Sequence, residues 1–206
     1  MTREKGIIYT AHIVSIIFTP FYLPLVGLIL LFTLSYMKML PMRYRLEVLI
    51  MVYFFTILLP TFLIRFYRRH QGWTLIELGR RERRMVPYFI SIMCYFSCIW
   101  LMEHMHIYHF IGSILMSALL VQMTCAICNV WWKISTHTAA IGGVAGALFG
   151  FSLIFGFNPV WWYCVVLVVA GILGSARMIL RQHSLAQVMA GFAVGFTCAA
   201  VGVLYL

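Results

Sequence analysis

The sequence predicts an all-α membrane protein, a polytopic helix bundle of six to seven membrane segments forming a single domain over residues 1–206. Three observations carry that prediction. Hydrophobic residues make up 64% of the chain and charged residues only 10%, where a soluble domain carries about 25% charged residues. The charge is gathered in short clusters, and the uncharged runs between them are long enough for a bilayer, which a helix crosses in about 20 residues. Those runs show no polar–apolar alternation, so they read as helices and not as the strands of a membrane barrel. The expected setting is a multi-pass protein of a bacterial inner membrane.

The segments follow in order. The start, Met1 to Lys5, is basic and leads into a long apolar run with no small-residue cleavage site; it reads as a first membrane segment and not as a removed signal peptide. Residues 7–36 are uncharged and longer than one span, and Pro20 and Pro24 predict a broken or re-entrant helix. The second segment, 48–64, is framed by Arg45 and Glu47 before it and Arg65 after it, with a kink expected at Pro60. A long polar connection, 65–85, carries Arg65, Arg68, Arg69, Arg80, Arg81, Arg83 and Arg84, with Glu77 and Glu82 as its acids. The third segment is 86–102, and a short turn with Glu103, His104, His106 and His109 leads to the fourth, about 107–131. The fifth, about 138–157, places Gly142, Gly146 and Gly150 four residues apart, a stripe that lets a neighbouring helix come close. Asn158 and Pro159 open the sixth, about 159–176, with Trp161 and Trp162 at its membrane interface. The seventh, about 184–206, carries Gly191 and Gly195 on the same face as Gln187.

Threading these segments gathers three polar clusters at one side of the membrane, together with the basic start. They are Arg80–Pro87, Lys133–His137 and Arg177–Gln187. Of the fifteen Lys and Arg residues only Lys38, Arg43 and Arg45 fall on the other side. The positive-inside rule puts the clusters in the cytoplasm. The same cations also suit phosphate, so the sequence leaves the orientation open. The net charge of +10 fits helix flanking, and it equally fits anionic lipid headgroups or phosphate substrates. Nucleic acid is not an expected partner, because no soluble domain remains to hold it. Nothing in the sequence signals an oligomeric state.

The cysteines fall inside apolar runs, and Cys125 and Cys128 form a CxxC within a predicted helix. They read as small buried hydrophobes, with no disulfide framework and no zinc site. His104, His106 and His109 have a spacing that could converge on a metal, but they fall opposite the polar clusters. Tyr9, Tyr88 and the pairs Trp131-Trp132 and Trp161-Trp162 read as interface anchors. Ser184 is equally an N-cap for the last helix and a ligand.

His183 and Gln187 are four residues apart and share a helix face. With Arg177 six residues before His183, and a serine and a second histidine at Ser135 and His137, the residue types are those that phosphoryl transfer uses. These residues resemble the type 2 phosphatidic acid phosphatase superfamily, whose motifs are Lys-x6-Arg-Pro, Pro-Ser-Gly-His and Ser-Arg-x5-His-x3-Asp. Here the third reads Ala176-Arg177, five residues, His183, three residues, Gln187; the second reads Ile134-Ser135-Thr136-His137. The first is degenerate, with Arg80, Arg81, Arg83 and Arg84 ahead of Pro87 and no Lys seven residues before a matching Arg. The resemblance covers about residues 65–200, a phosphatase-like core.

The resemblance implies a membrane-embedded phosphatase acting on a lipid phosphate or isoprenoid (di)phosphate. His183 would attack phosphorus and form a phosphohistidine. His137 would protonate the leaving oxygen and then activate water. Arg177, Ser135, Lys133 and one or more of Arg80, Arg81 and Arg84 would bind the phosphoryl oxygens. No metal or other cofactor is implied. Gln187 stands where the family has an Asp that orients the nucleophile. Its carbonyl accepts an imidazole N–H but brings no negative charge, so a slower enzyme is expected. Two further readings use the same residues: a non-catalytic lipid-phosphate binder or transporter built on the same basic pocket, and a haem or metal membrane protein using pairs of histidines. A transporter is expected to show repeat symmetry between its halves, and none is visible.

Overall fold

The computed structural model describes residues 2–34, 36–72 and 85–205. Among the described residues there is no strand, and six helices are long and apolar enough to cross a membrane. The fold is therefore an all-α polytopic bundle, the class that the composition and the charge pattern predict. Arg80, Arg81, Arg83 and Arg84 lie outside the described residues.

The long first run is two half-helices, α1 (Thr2–Ile17) and α2 (Leu23–Leu34). The break has a local cause. Pro20 has no N–H to offer the Ile16 carbonyl, and the Thr19 hydroxyl donates to that carbonyl instead, at 2.6 Å. Pro24 falls in the first turn of α2, where a missing N–H costs little. The two halves reach opposite ends of the bundle. Ser15 of α1 meets Arg177, and the Phe32 carbonyl of α2 accepts from Arg45 at 3.4 Å. Both are shorter than the six helices long enough to cross a membrane.

Helix α3 (Met42–His70) has 29 residues, about 44 Å at 1.5 Å per residue. A hydrocarbon core is about 30 Å thick, so the helix outruns it at the ends. The expected segment 48–64 is its central part. Its last turn carries Arg68, Arg69 and His70, where cations oppose the negative end of the helix dipole. The kink expected at Pro60 takes the form of a π-helical turn, Phe54–Leu58, just before the proline. The wider turn makes room for a residue that can neither donate nor tolerate the preceding carbonyl.

The remaining helices are α4 (Met85–His104), α5 (His109–Trp131), α6 (Thr136–Phe155), α7 (Val160–Ile179) and α8 (Leu185–Tyr205). Their boundaries match the sequence segments to within a few residues. At one end of the bundle the Tyr108 N–H donates to the Tyr44 hydroxyl at 3.4 Å, and Phe110 packs against Phe151 and Phe155. His104 stacks on Trp100. A buried cluster of Leu28, Val52, Cys98, Ile111 and Leu115 fills that half of the bundle.

Helices α6 and α8 run parallel and form the closest pair. The Gly142 and Gly146 stripe lies against the backbone of Phe192 and Phe196. At Gly195 an added Cβ would stand 1.8 Å from the Ala139 carbonyl oxygen. No side chain fits there, so the two backbones touch. In lipid, where apolar packing gives no hydrophobic gain, such close approach is what holds helices together. The cysteines are free thiols, and Cys125 is buried in the core. Trp131 and Trp161 are largely exposed, as interface anchors are.

Candidate active site

The site begins where α7 ends. Arg181 adopts a left-handed conformation, with φ of 51°. Its N–H donates to the Met178 carbonyl at 2.8 Å, and the Gln182 N–H donates to the Arg177 carbonyl at 3.1 Å. This is a Schellman ending. It stops the helix at Ile179, two residues after Arg177, and turns the chain toward His183. Arg177 is 6% exposed, and its guanidinium donates to the hydroxyl of Ser15 on α1. A guanidinium held this deep is fixed in place before any anion arrives.

Helix α8 then opens with a capping box. The Gln187 N–H donates to the Ser184 hydroxyl at 3.4 Å, and the Ser184 N–H donates back to Gln187 Oε1 at 3.2 Å. Ser-x-x-Gln is a pattern that satisfies two end-of-helix donors reciprocally. Ser184 is thus an N-cap. The same Gln187 Oε1 lies 3.1 Å from Nδ1 of His183, and this contact fixes a tautomer. A backbone N–H can only donate, so the Gln187 atom it meets is the carbonyl oxygen. That oxygen carries no hydrogen, so His183 Nδ1 is the donor to it. In the neutral ring, Nε2 then carries the lone pair. His183 is 7% exposed.

The turn between α5 and α6 closes over this helix start. The Ser135 N–H donates to the Gln187 carbonyl at 3.4 Å, which joins the second polar cluster to the third through backbone. Ser135 is fully buried and caps α6, its hydroxyl accepting from the Thr138 N–H at 3.5 Å. The contact needs Gly191, because a Cβ there would stand 2.6 Å from the Ser135 carbonyl oxygen. Lys133 and His137 are half-buried on either side of Ser135. Helices α6 and α8 both start at this end of the bundle, joined through Ser135 and Gln187, and their N-termini bring partial positive charge there.

His137 also lines an open-sided cavity of about 790 Å³ lined mainly by α2, α4, α5 and α6. It reaches from Thr136, His137, Pro87 and Tyr88 at the polar end to Lys38 and Phe157 at the other. Tyr88 departs from its sequence reading. It is buried in the first turn of α4 and lines this cavity, where an interface anchor was expected. The reason is tertiary: its face of α4 turns onto Val121, Cys125 and Ile134.

Of the residues picked from sequence, the structure joins His183 and Ser135 through Gln187 and places Arg177 at the end of α7, six residues before His183. Lys133 and His137 flank Ser135. Arg80, Arg81 and Arg84 fall outside the described residues. Three polar residues with structural partners or a place on the cavity escaped the sequence reading. Ser15 has no local signal, since a serine in an apolar helix usually bonds its own backbone. Asn129 and Gln122 did carry one: an amide inside a membrane segment is costly unless it has a task. Asn129 is buried in the last turns of α5 and donates to the Met85 sulfur at 3.7 Å, tying α5 to the start of α4. No protein-family model, no curated protein and no solved structure matches this chain.

Proposed function

We propose that the protein is a membrane-embedded phosphatase, acting on a lipid phosphate or isoprenoid (di)phosphate through a phosphohistidine intermediate, in a bacterial inner membrane. The observation that carries the reading is the hydrogen bond from His183 Nδ1 to Gln187 Oε1. It leaves Nε2 as the basic nitrogen of a buried imidazole, which is the state a nucleophile needs.

The chemistry runs in two steps. His183 Nε2 attacks phosphorus, the bond from phosphorus to the lipid oxygen breaks, and protonated His137 gives that oxygen its proton. The phosphorylated ring carries positive charge, and the Gln187 carbonyl dipole at Nδ1 stabilises it. His137, now neutral, takes a proton from water; the water oxygen attacks phosphorus, the P–N bond breaks, and phosphate leaves. Arg177, Ser135, Lys133 and the α6 and α8 N-termini hold the phosphoryl oxygens as their charge spreads. The degenerate first motif would add Arg80, Arg81 or Arg84. The cavity beside His137 gives the apolar part of the substrate a place inside the bundle.

The test is phosphate release by the purified full chain in nanodiscs, offered phosphatidic acid, phosphatidylglycerol phosphate or undecaprenyl diphosphate. Release by the wild type that disappears in His183→Ala is the expected result, with a radiolabelled acid-labile phosphoenzyme trapped in His137→Ala. Release unchanged in His183→Ala would end the phosphohistidine reading. Tight binding of these lipids without any release would favour the binder built on the same pocket.

A further inference from the structure

The cavity beside His137 is as long as a bilayer core is thick. Its α6 wall runs from Thr136 to Phe155, the whole helix. That is about 29 Å at 1.5 Å per residue, against a hydrocarbon core of about 30 Å. The other walls, among the described residues, are α2 from Leu23 to Leu31, α5 from Cys125 to Ile114, and the first turns of α4 and α7. Small side chains make the room. Ala140, Gly143 and Ala147 follow one another at three and four residues on α6, which places them on one face, and Ala118 of α5 lines the same space. One side is open, so a chain can enter from the bilayer without passing through water.

The walls suit hydrocarbon along their length. Ser91 gives its hydroxyl to the Pro87 carbonyl at 2.9 Å, Ser117 to the Ser113 carbonyl at 2.7 Å, and Tyr95 and Gln122 bond each other. These polar groups are engaged within the protein, so the wall offers little to a headgroup in transit. At the polar end, His137 connects the cavity to Lys133, to Ser135 and, through Gln187, to His183. At the far end the exposed Lys38 stands with Phe155 and Phe157. Charge therefore seats a phosphate at the His137 end, with its apolar chain running down the cavity. An acyl chain hung from there ends near the midplane, about 15 Å down. The cavity continues past that depth. Ala147 and Ala118 lie about 17 and 20 Å along their helices from the polar end, at 1.5 Å per residue, and Phe151 and Phe155 lie deeper.

We infer that the cavity is a ruler for chain length: it takes a lipid phosphate whose single chain passes the bilayer midplane, a long polyprenyl chain, in preference to lipids whose chains end within one leaflet. The inference deepens the phosphatase reading and rests on it for the position of the phosphate. In a bilayer a longer chain gains nothing by leaving water. The preference comes instead from packing along the deeper wall and from the bilayer lipids that one anchored chain releases there.

The experiment places the full-length His183→Ala protein in phosphatidylcholine nanodiscs with equal amounts of farnesyl phosphate, undecaprenyl phosphate and dioleoyl phosphatidic acid. Bound lipid is read by native mass spectrometry, and hydrolysis of the same lipids by the wild type is measured in parallel. Undecaprenyl phosphate should be favoured about tenfold over each of the others, the order that packing between apolar surfaces supplies in a bilayer. Ala147→Trp and Ala118→Trp block the cavity beyond the reach of a farnesyl chain, and each should bring that ratio toward one. A ratio taken within one protein does not depend on how much of it is folded, so a variant that folds poorly still reports. Equal binding of the three lipids before either substitution overturns the inference, and so does a preference that survives both substitutions together. Preferential binding with no hydrolysis of any lipid upholds the ruler and overturns the phosphatase reading. Equal binding with hydrolysis of all three does the reverse.

Discussion

Gln187 serves two donors with one oxygen, the Ser184 N–H and His183 Nδ1. Fold and chemistry therefore converge on a single amide, and substitutions can separate them. Gln187→Ala removes both bonds. The Ser184 hydroxyl keeps its bond to the N–H of residue 187, so the stability cost is that of a lost hydrogen bond, about 0.5–1.5 kcal/mol, and releasing the imidazole should lower kcat about 10²-fold, the typical cost of misplacing a catalytic group. Gln187→Glu keeps the capping box and places a negative charge beside the ring that becomes cationic. Its kcat should equal or exceed that of the wild type, with a similar unfolding temperature. Steady-state phosphate release on the two variants checks this. A Glu variant as slow as the Ala variant would show that Gln187 acts through its neutral amide and not by orienting His183. The i, i+4 spacing made the His183–Gln187 contact legible in the sequence. The Ser15–Arg177 contact joins residues 162 apart, and no local pattern announces it.

The elements owe their places to termini and glycines. The Schellman ending of α7, the capping box of α8 and the N-cap of α6 are short-range signals, and each falls at a site residue. The parallel contact of α6 and α8 is what puts the Ser135 N–H on the Gln187 carbonyl. Gly195 is the tightest point of that contact. Gly195→Ala forces a methyl into the Ala139 carbonyl, so the helices must separate. Overpacking of this kind costs about 1–3 kcal/mol, and the lost register should reach the site one helical turn above. Both a lower unfolding midpoint in detergent and reduced phosphate release are expected. Gly171→Ala, at a glycine with open space around it, is the control and should leave both unchanged. An equal response of the two variants would reject close packing as the reason for Gly195. The glycine stripes were readable as a close-approach face; which helix they approach was not, because spacing carries no partner identity.

For the whole molecule, alternation of six spans sends three connections to one side. The contacts of Ser135 with Gln187 and of Asn129 with Met85 hold that end together. Single cysteines in a cysteine-free background test it. Gln71→Cys and Trp132→Cys should label from one side of a sealed membrane, and Met105→Cys and Phe157→Cys from the other. The basic side is expected to be cytoplasmic by the positive-inside rule. Labelling of Gln71→Cys and Trp132→Cys from opposite sides would dismantle the shared face and the candidate site with it.

By itself the sequence determined the all-helical membrane class, the order and rough limits of the segments, the break near Pro20 and the Arg177–His183–Gln187 series. These depend on hydropathy, on proline's missing N–H and on helical period, which are properties of neighbouring residues. Tertiary structure alone decided that Tyr88 faces inward, that Ser15 holds Arg177, and that Tyr95 and Gln122 share one cavity wall. The reason is that a helix in lipid is apolar on every side. Its composition does not say which face meets protein and which meets the bilayer, and only the packing of one helix on another settles that.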